Sequence, residues 1–124
     1  MGIFTREETE YLDDGGLLGR IATVGRDGMP HIAPVGFSRN GDAIDIGGHG
    51  MTQSKKFRDV ARSGRAAFVV DDVVSRSPWQ PRGVEVRGRA EAIAGERPFI
   101  RIHPERIVSW GLSEDKGRNA RSVA

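Results

Sequence analysis

Apolar and polar residues alternate with a period of two through most of this chain, and only two short stretches shift to the period of a helix. The β-rich run LGRIATV (18–24) leads through the turn RDGMP into HIAPVGF (31–37), which predicts a first hairpin. A second turn, SRNGDA, carries Asn40-Gly41, and AIDIGG after it alternates as a half-buried strand should. Together these segments predict a three-stranded meander. The largely apolar RAAFVVDDV (65–73) suggests a strand buried on both faces. SRSPWQPR (75–82) holds two prolines and cannot be a central strand, whereas GVEVRGRAEAI (83–93) predicts a long one. Phe99, Ile100, Ile102, Ile107, Val108 and Trp110 mark a last strand, bent or bulged at His103-Pro104. The tail from Ser113 to Ala124 has little apolar content and is expected to be irregular.

Two helices complete the pattern. Thr5 followed by Glu8 is a capping box that opens a short, peripheral helix running to about Asp13. Phe57, Val60 and Ala61 form one apolar helical face, so a second helix begins near Thr52 or Ser54 and ends at Gly64. Six strands with one helix after the third predict a mostly β fold, an antiparallel barrel or sandwich, and 124 residues fit one domain, 1–124.

The second helix is also where chemistry enters. In GGHGMTQSKKF (47–57), Lys55 and Lys56 fall in the first helical turn, where a cation opposes the positive end of the helix dipole at about 0.3–1 kcal/mol each. An anion there reverses that penalty. Helix-start amides, the Thr52 and Ser54 hydroxyls and two ammonium groups after a glycine-rich turn are the ingredients of a phosphate site. The competing reading is a solvated lysine pair beside a serine cap.

Composition narrows the rest. The chain has no cysteine, which excludes disulfides, thiolate metal sites, iron–sulfur clusters and a cysteine nucleophile. Its net charge is +2 with acids interspersed among the arginines, so a local anion pocket is favoured over a nucleic-acid-binding face. No apolar run approaches a membrane span, and acids occupy the place of a signal-peptide core, so a cytoplasmic protein without membrane insertion is expected. His31, His49 and His103 have no metal-ligand spacing. His49, beside the lysines, is the one placed to donate to a phosphate oxygen. No serine lies in a nucleophile-elbow pattern. Trp110 fits barrel core or a subunit interface, while Trp79 either caps the core or covers a ligand or partner.

In order and spacing, GRIATVGRDGMPHIAPVGF, KKFRDVARSGRAAFVVDD, VEVRGRAE and IRIHPERIVSWG resemble the pyridoxamine 5′-phosphate oxidase-like split β-barrel superfamily, over roughly residues 18–112. The small form and the ending GRNARSVA are most similar to its actinobacterial branch that binds coenzyme F420. The resemblance implies a six-stranded split barrel that forms a homodimer, with cofactor sites lined by both protomers. It implies that Thr52, Ser54, Lys55 and Lys56 hold the cofactor phosphate, and that Ile32, Ala33, Pro34 and Val35 contact its ring system. More loosely, it brings Trp79 and Arg82 to the site from the partner chain. The expected function is an F420-dependent oxidoreductase that moves a hydride to or from a small planar, electron-poor organic substrate. FMN in place of coenzyme F420, or a non-catalytic cofactor carrier, are the alternatives. The chain lacks the C-terminal extension with which true pyridoxamine phosphate oxidases bind substrate, so pyridoxal phosphate synthesis is not expected.

Overall fold

The alternating segments pair into one antiparallel sheet in the computed structural model, which describes residues 2–124. The elements run α1 Arg6–Asp14, β1 Gly19–Val24, β2 Pro30–Val35, β3 Ser38–Asn40, β4 Ala43–Ile46, α2 Lys55–Ser63, β5 Arg65–Arg76, β6 Trp79–Ile93, β7 Phe99–Trp110 and β8 Arg118–Ser122. Laterally the strands are ordered β2-β1-β5-β6-β7-β4-β3, with β8 also on β7. β2 and β3 are thus at opposite ends of the order, yet only Gly36 and Phe37 separate them in the chain. Three Cα steps reach about 11 Å, so the two ends of the sheet lie close together and the sheet is rolled into a split barrel. Its interior is filled by Ile21, Ile44, Ile46, Phe68, Val70, Val84, Val86, Ile100, Ile102 and Ile107, none more than 1% exposed.

Rolling corrects the three-stranded meander. β1 and β2 form the first hairpin, Gly19 opposite Val35, but β4 pairs with β7, Ile44 opposite Ile102, and not with β2. Phe37 turns the chain between the two ends by packing edge-on against Phe68, with ring centroids 4.8 Å apart at 62°. Burial of β5 on both faces is corrected as well: Ala66, Phe68 and Val70 are buried, whereas Val73 and Val74 are exposed.

SRSPWQPR is strand and turn and not a connection. β5 and β6 continue as a hairpin to Arg76 opposite Trp79, closed by Ser77-Pro78. Pro81 is tolerated because β7 reaches only as far as Gly83 along β6, so the missing N–H lies outside that ladder. The bulge expected at His103-Pro104 is present: Arg87 pairs with Arg106 and Gly88 with Pro104, which leaves Glu105 without a partner on β6. Only glycine fits at 88, since a Cβ there would overlap the His103 carbonyl oxygen and lie 2.8 Å from the Glu105 nitrogen.

The tail is not irregular, and α1 is not peripheral. β8 pairs with β7 from Arg106 opposite Ser122 to Trp110 opposite Arg118, raising the count of strands from six to eight together with β3. The cause is Glu8, fully buried on α1. It accepts from the Arg121 guanidinium at 2.7 and 3.0 Å and from the Ser109 hydroxyl at 2.6 Å, while Arg121 also donates to the Ile3 carbonyl. A buried carboxylate needs such partners, and only the tail supplies the cation.

Candidate functional site

α2 begins where the pattern of caps places it. Ser54 accepts from the Phe57 N–H at 3.3 Å, and Gly64 closes the helix in a left-handed conformation. Lys55 and Lys56 therefore occupy the first turn, and their backbone N–H groups have no intrahelical acceptor. The two lysines differ, however. The Lys55 ammonium lies 3.1 and 3.2 Å from the carboxylate oxygens of Asp59, one turn on, and Asp59 also accepts from the Thr23 hydroxyl at 2.8 Å. Burial alone would raise the Asp59 pKa, but the hydrogen bonds from Thr23 and Lys55, with the charges of Lys55 and Arg62, hold it below the ordinary aspartate value. Lys56 forms no ion pair among the described residues. The Ser54 hydroxyl is already committed, since it also donates to the Met51 carbonyl at 2.6 Å. What remains free to meet an anion is the pair of helix-start amides, the Lys56 ammonium and the exposed Thr52 hydroxyl.

Gly25, in the β1–β2 turn, makes room for Lys55: a Cβ there would stand 2.8 Å from the ammonium nitrogen. The Lys55–Asp59–Thr23 chain thus ties the helix start to β1 as well as pairing charge.

Beside the helix start opens a cleft of about 980 Å³, walled by Phe37, Ser38, His49, Thr52, Arg97 and Phe99 with the acids Asp45 and Glu96, and floored by the glycines at 47, 48 and 50. The structure brings His49 and Thr52 together on this cleft. Phe37, Ser38, Arg97 and Phe99 escaped the sequence reading, because their approach depends on the β4–β7 pairing. Asp59 was within reach of it, being an acid four residues after a lysine on one helix.

The β2 residues do not share one face. Ile32 is 66% exposed and Pro34 is exposed with it, Ala33 is half-buried and Val35 lies in the core. β2 ends the strand order, so one of its edges is open among the described residues. Pro30 and Pro34 lack N–H groups and belong on that open side, which by the period of two also carries the N–H and carbonyl of Ile32.

Trp79 and Arg82 are elsewhere in the protomer, on the distal β5–β6 hairpin. The Arg82 guanidinium pairs with Asp72 at 2.8 and 3.2 Å and stacks 5.0 Å over the Tyr11 ring, and Tyr11 donates to Asp72 at 2.9 Å. Burial, and then the neighbouring Asp72, push the Tyr11 pKa upward. Trp79 is 65% exposed. Among the described residues no helix is long and apolar enough to cross a membrane.

Residues 7–123 match the family described as pyridoxamine 5′-phosphate oxidase. The 5a,11a-dehydrotetracycline/5a,11a-dehydrooxytetracycline reductase of Streptomyces rimosus is 44% identical over 133 residues, covering 97% of this chain and 93% of the relative. A solved F420 reductase is similar in structure with a TM-score of 0.64 at 22% identity, covering 83% of this chain and 98% of its own. The FAD binding protein from Mycobacterium smegmatis gives 0.65 at 21%, over 99% and 100% of the two chains. At those identities the two structures bear on the fold alone. The family match over most of the chain, joined to a reductase that aligns along nearly its whole length, establishes that this chain belongs to the pyridoxamine 5′-phosphate oxidase family and is an oxidoreductase.

Proposed function

We propose that the chain is a coenzyme F420-dependent reductase of small, planar, electron-poor organic molecules. The observation that carries this reading is the first turn of α2, where two free amides and an unpaired Lys56 follow within four residues of Thr52, which lines an open cleft. That donor set fits a phosphate, and the cleft is of the size that holds a cofactor. When bound, the deazaflavin supplies the hydride, and the protein supplies placement and a partly dry pocket. Lys56 and the helix start fix the phosphate end. Phe37, Phe99 and the glycine-rich floor present apolar surface and close backbone to a flat ring, and His49 stands at the rim as a further donor. The open edge of β2 at Ile32 offers main-chain groups to the ring's polar margin. The substrate class is supported by the name of the 44% identical relative, a reductase of dehydrotetracyclines, which are polycyclic compounds.

The reading includes a homodimer in which the partner's hairpin tip, with Trp79 and Arg82, covers the ring. Support comes from the apolar side chains left exposed on and beside the β1–β2 hairpin, Leu18, Val24, Met29 and Ile32.

The test is a fluorescence titration of the purified protein with coenzyme F420 and, in parallel, with FMN at identical salt. Affinity for coenzyme F420 should exceed that for FMN by tenfold or more, and Lys56→Ala should weaken it by about tenfold, the worth of one charge-assisted hydrogen bond. Tighter binding of FMN would transfer the protein to flavin chemistry. Indifference of both titrations to Lys56→Ala would remove the assigned phosphate site.

A further inference from the structure

At the far end of the β5–β6 hairpin is a second cleft, of about 400 Å³, lined by Val74, Pro78, Trp79, Pro81, Trp110 and Lys116 among others. We propose that it binds a planar aromatic anion. The chain contains two tryptophans, and both stand here. Trp79 is 65% exposed, which is an unfavourable way to keep the largest apolar side chain unless something flat covers it. Pro78 and Pro81 add walls that are stiff and have no N–H to satisfy. Gly83 lets the Trp110 indole lie across the hairpin, for a Cβ at 83 would stand 2.5 Å from its Cζ2.

The charge of the ligand follows from Lys116. It is the one non-glycine residue with positive φ among the described residues, at 59°, in a turn held by its own N–H to the Ser113 carbonyl and by Asp115 accepting from Ser113 and Gly117. Glycine or asparagine would occupy that backbone with less strain, but neither would bring a cation to the cleft. Lys116 forms no ion pair among the described residues. It also borders an adjoining cleft lined by Glu7, Glu10, Asp14 and Arg82. The acids outnumber the arginine there, which makes that side less favourable for an anion than the tryptophan-lined cleft.

The site shares no lining residue with the cofactor cleft of the same protomer. The identification of the ligand with the reductase's substrate rests on the proposed reading and on the hairpin tip reaching a partner's cofactor; the binding itself does not.

Because both tryptophans line the cleft, intrinsic fluorescence reports on it directly. Titration with 2-naphthoate should quench saturably, with about fivefold higher affinity than the neutral methyl 2-naphthoate, the range of an exposed charge pair. Lys116→Gln should make the two affinities equal. Linear, non-saturating quenching, or an anion preference that survives Lys116→Gln, would overturn the proposal. If naphthoate binds while coenzyme F420 does not, the cofactor reading falls and this site stands; with the converse result, only this site is withdrawn.

Discussion

Two adjacent lysines with the same backbone role have different work to do, and the difference is a matter of counterions. Lys55 neutralises a buried Asp59 that also takes the Thr23 hydroxyl, whereas Lys56 forms no ion pair among the described residues. Lys56→Ala should therefore weaken cofactor binding more than Lys55→Ala. Lys55→Ala should instead lower stability by about 1 kcal/mol, because it strips a partner from a buried carboxylate that is otherwise half satisfied. Parallel ligand titration and urea unfolding of the two variants separate these effects, and equal losses of affinity would contradict the division. Glu8 carries a pH prediction. Burial pushes its pKa up, but hydrogen bonds from Arg121, Ser109 and the Thr5 N–H, with the Arg121 charge, bring it below the ordinary value of 4.5. Asp45, Asp59 and Asp72 are held low as well. A depressed folded-state pKa means that the unfolded chain takes up protons first. Stability is thus complete above the ordinary carboxylate range and is lost as pH falls through it toward the folded values. Glu8→Gln should cost about 2 kcal/mol at neutral pH and make the acid loss shallower; stability curves of unchanged slope between pH 6 and 3 would show that Glu8 is not a principal contributor. The capping role of Glu8 was legible, because Thr5 and Glu8 are three residues apart. Its partner was not, since nothing local marks Arg121 among so many arginines as the one that returns to it.

Among the elements, strands were visible wherever apolar and polar residues alternate, and their neighbours were not. Periodicity states which face of a strand is apolar but is silent on which strand it meets, so the β1–β2 hairpin with its short turn was legible and the β4–β7 pairing was missed. The same limit hid β8. RNARS has no apolar face to advertise, and it is a strand because β7 offers an open edge and Glu8 a charge to satisfy. Prolines misled in the other direction at 78 and 81, where the hairpin extends past its neighbours and ladder positions no longer require an N–H. The bulge at Gly88 gives a sharp test at this scale. Gly88→Ala would press a methyl group into the His103 carbonyl and Glu105 nitrogen, both backbone, so relief requires β6 and β7 to move against each other. A loss of about 3 kcal/mol is expected, or roughly 10 °C in Tm, read by calorimetry; a shift under about 2 °C would mean that the bulge relaxes freely.

For the whole molecule, the rolled sheet divides two apolar surfaces. One is the barrel interior, and the other is the exterior of the β1–β2 hairpin, where Ile32, Met29 and Val24 remain exposed. If that exterior is the subunit interface, Ile32→Glu should convert the protein to monomer in sedimentation equilibrium while its far-ultraviolet circular dichroism stays unchanged; an undisturbed dimer would move the interface elsewhere. The fold's closure has a further consequence. Glu8 and Arg121 meet across a sequence separation of 113 residues, so the contact that neutralises the first helix is among the last that a growing chain can make. On the ribosome, where synthesis proceeds from the N-terminus at about 5–20 residues per second, α1 must wait many seconds with a carboxylate that has no guanidinium to meet. Translation therefore sets a limit on assembly: Arg121 cannot lock the N-terminal helix until β8 has been made, a few residues after the β7 strand that joins β6 to β4.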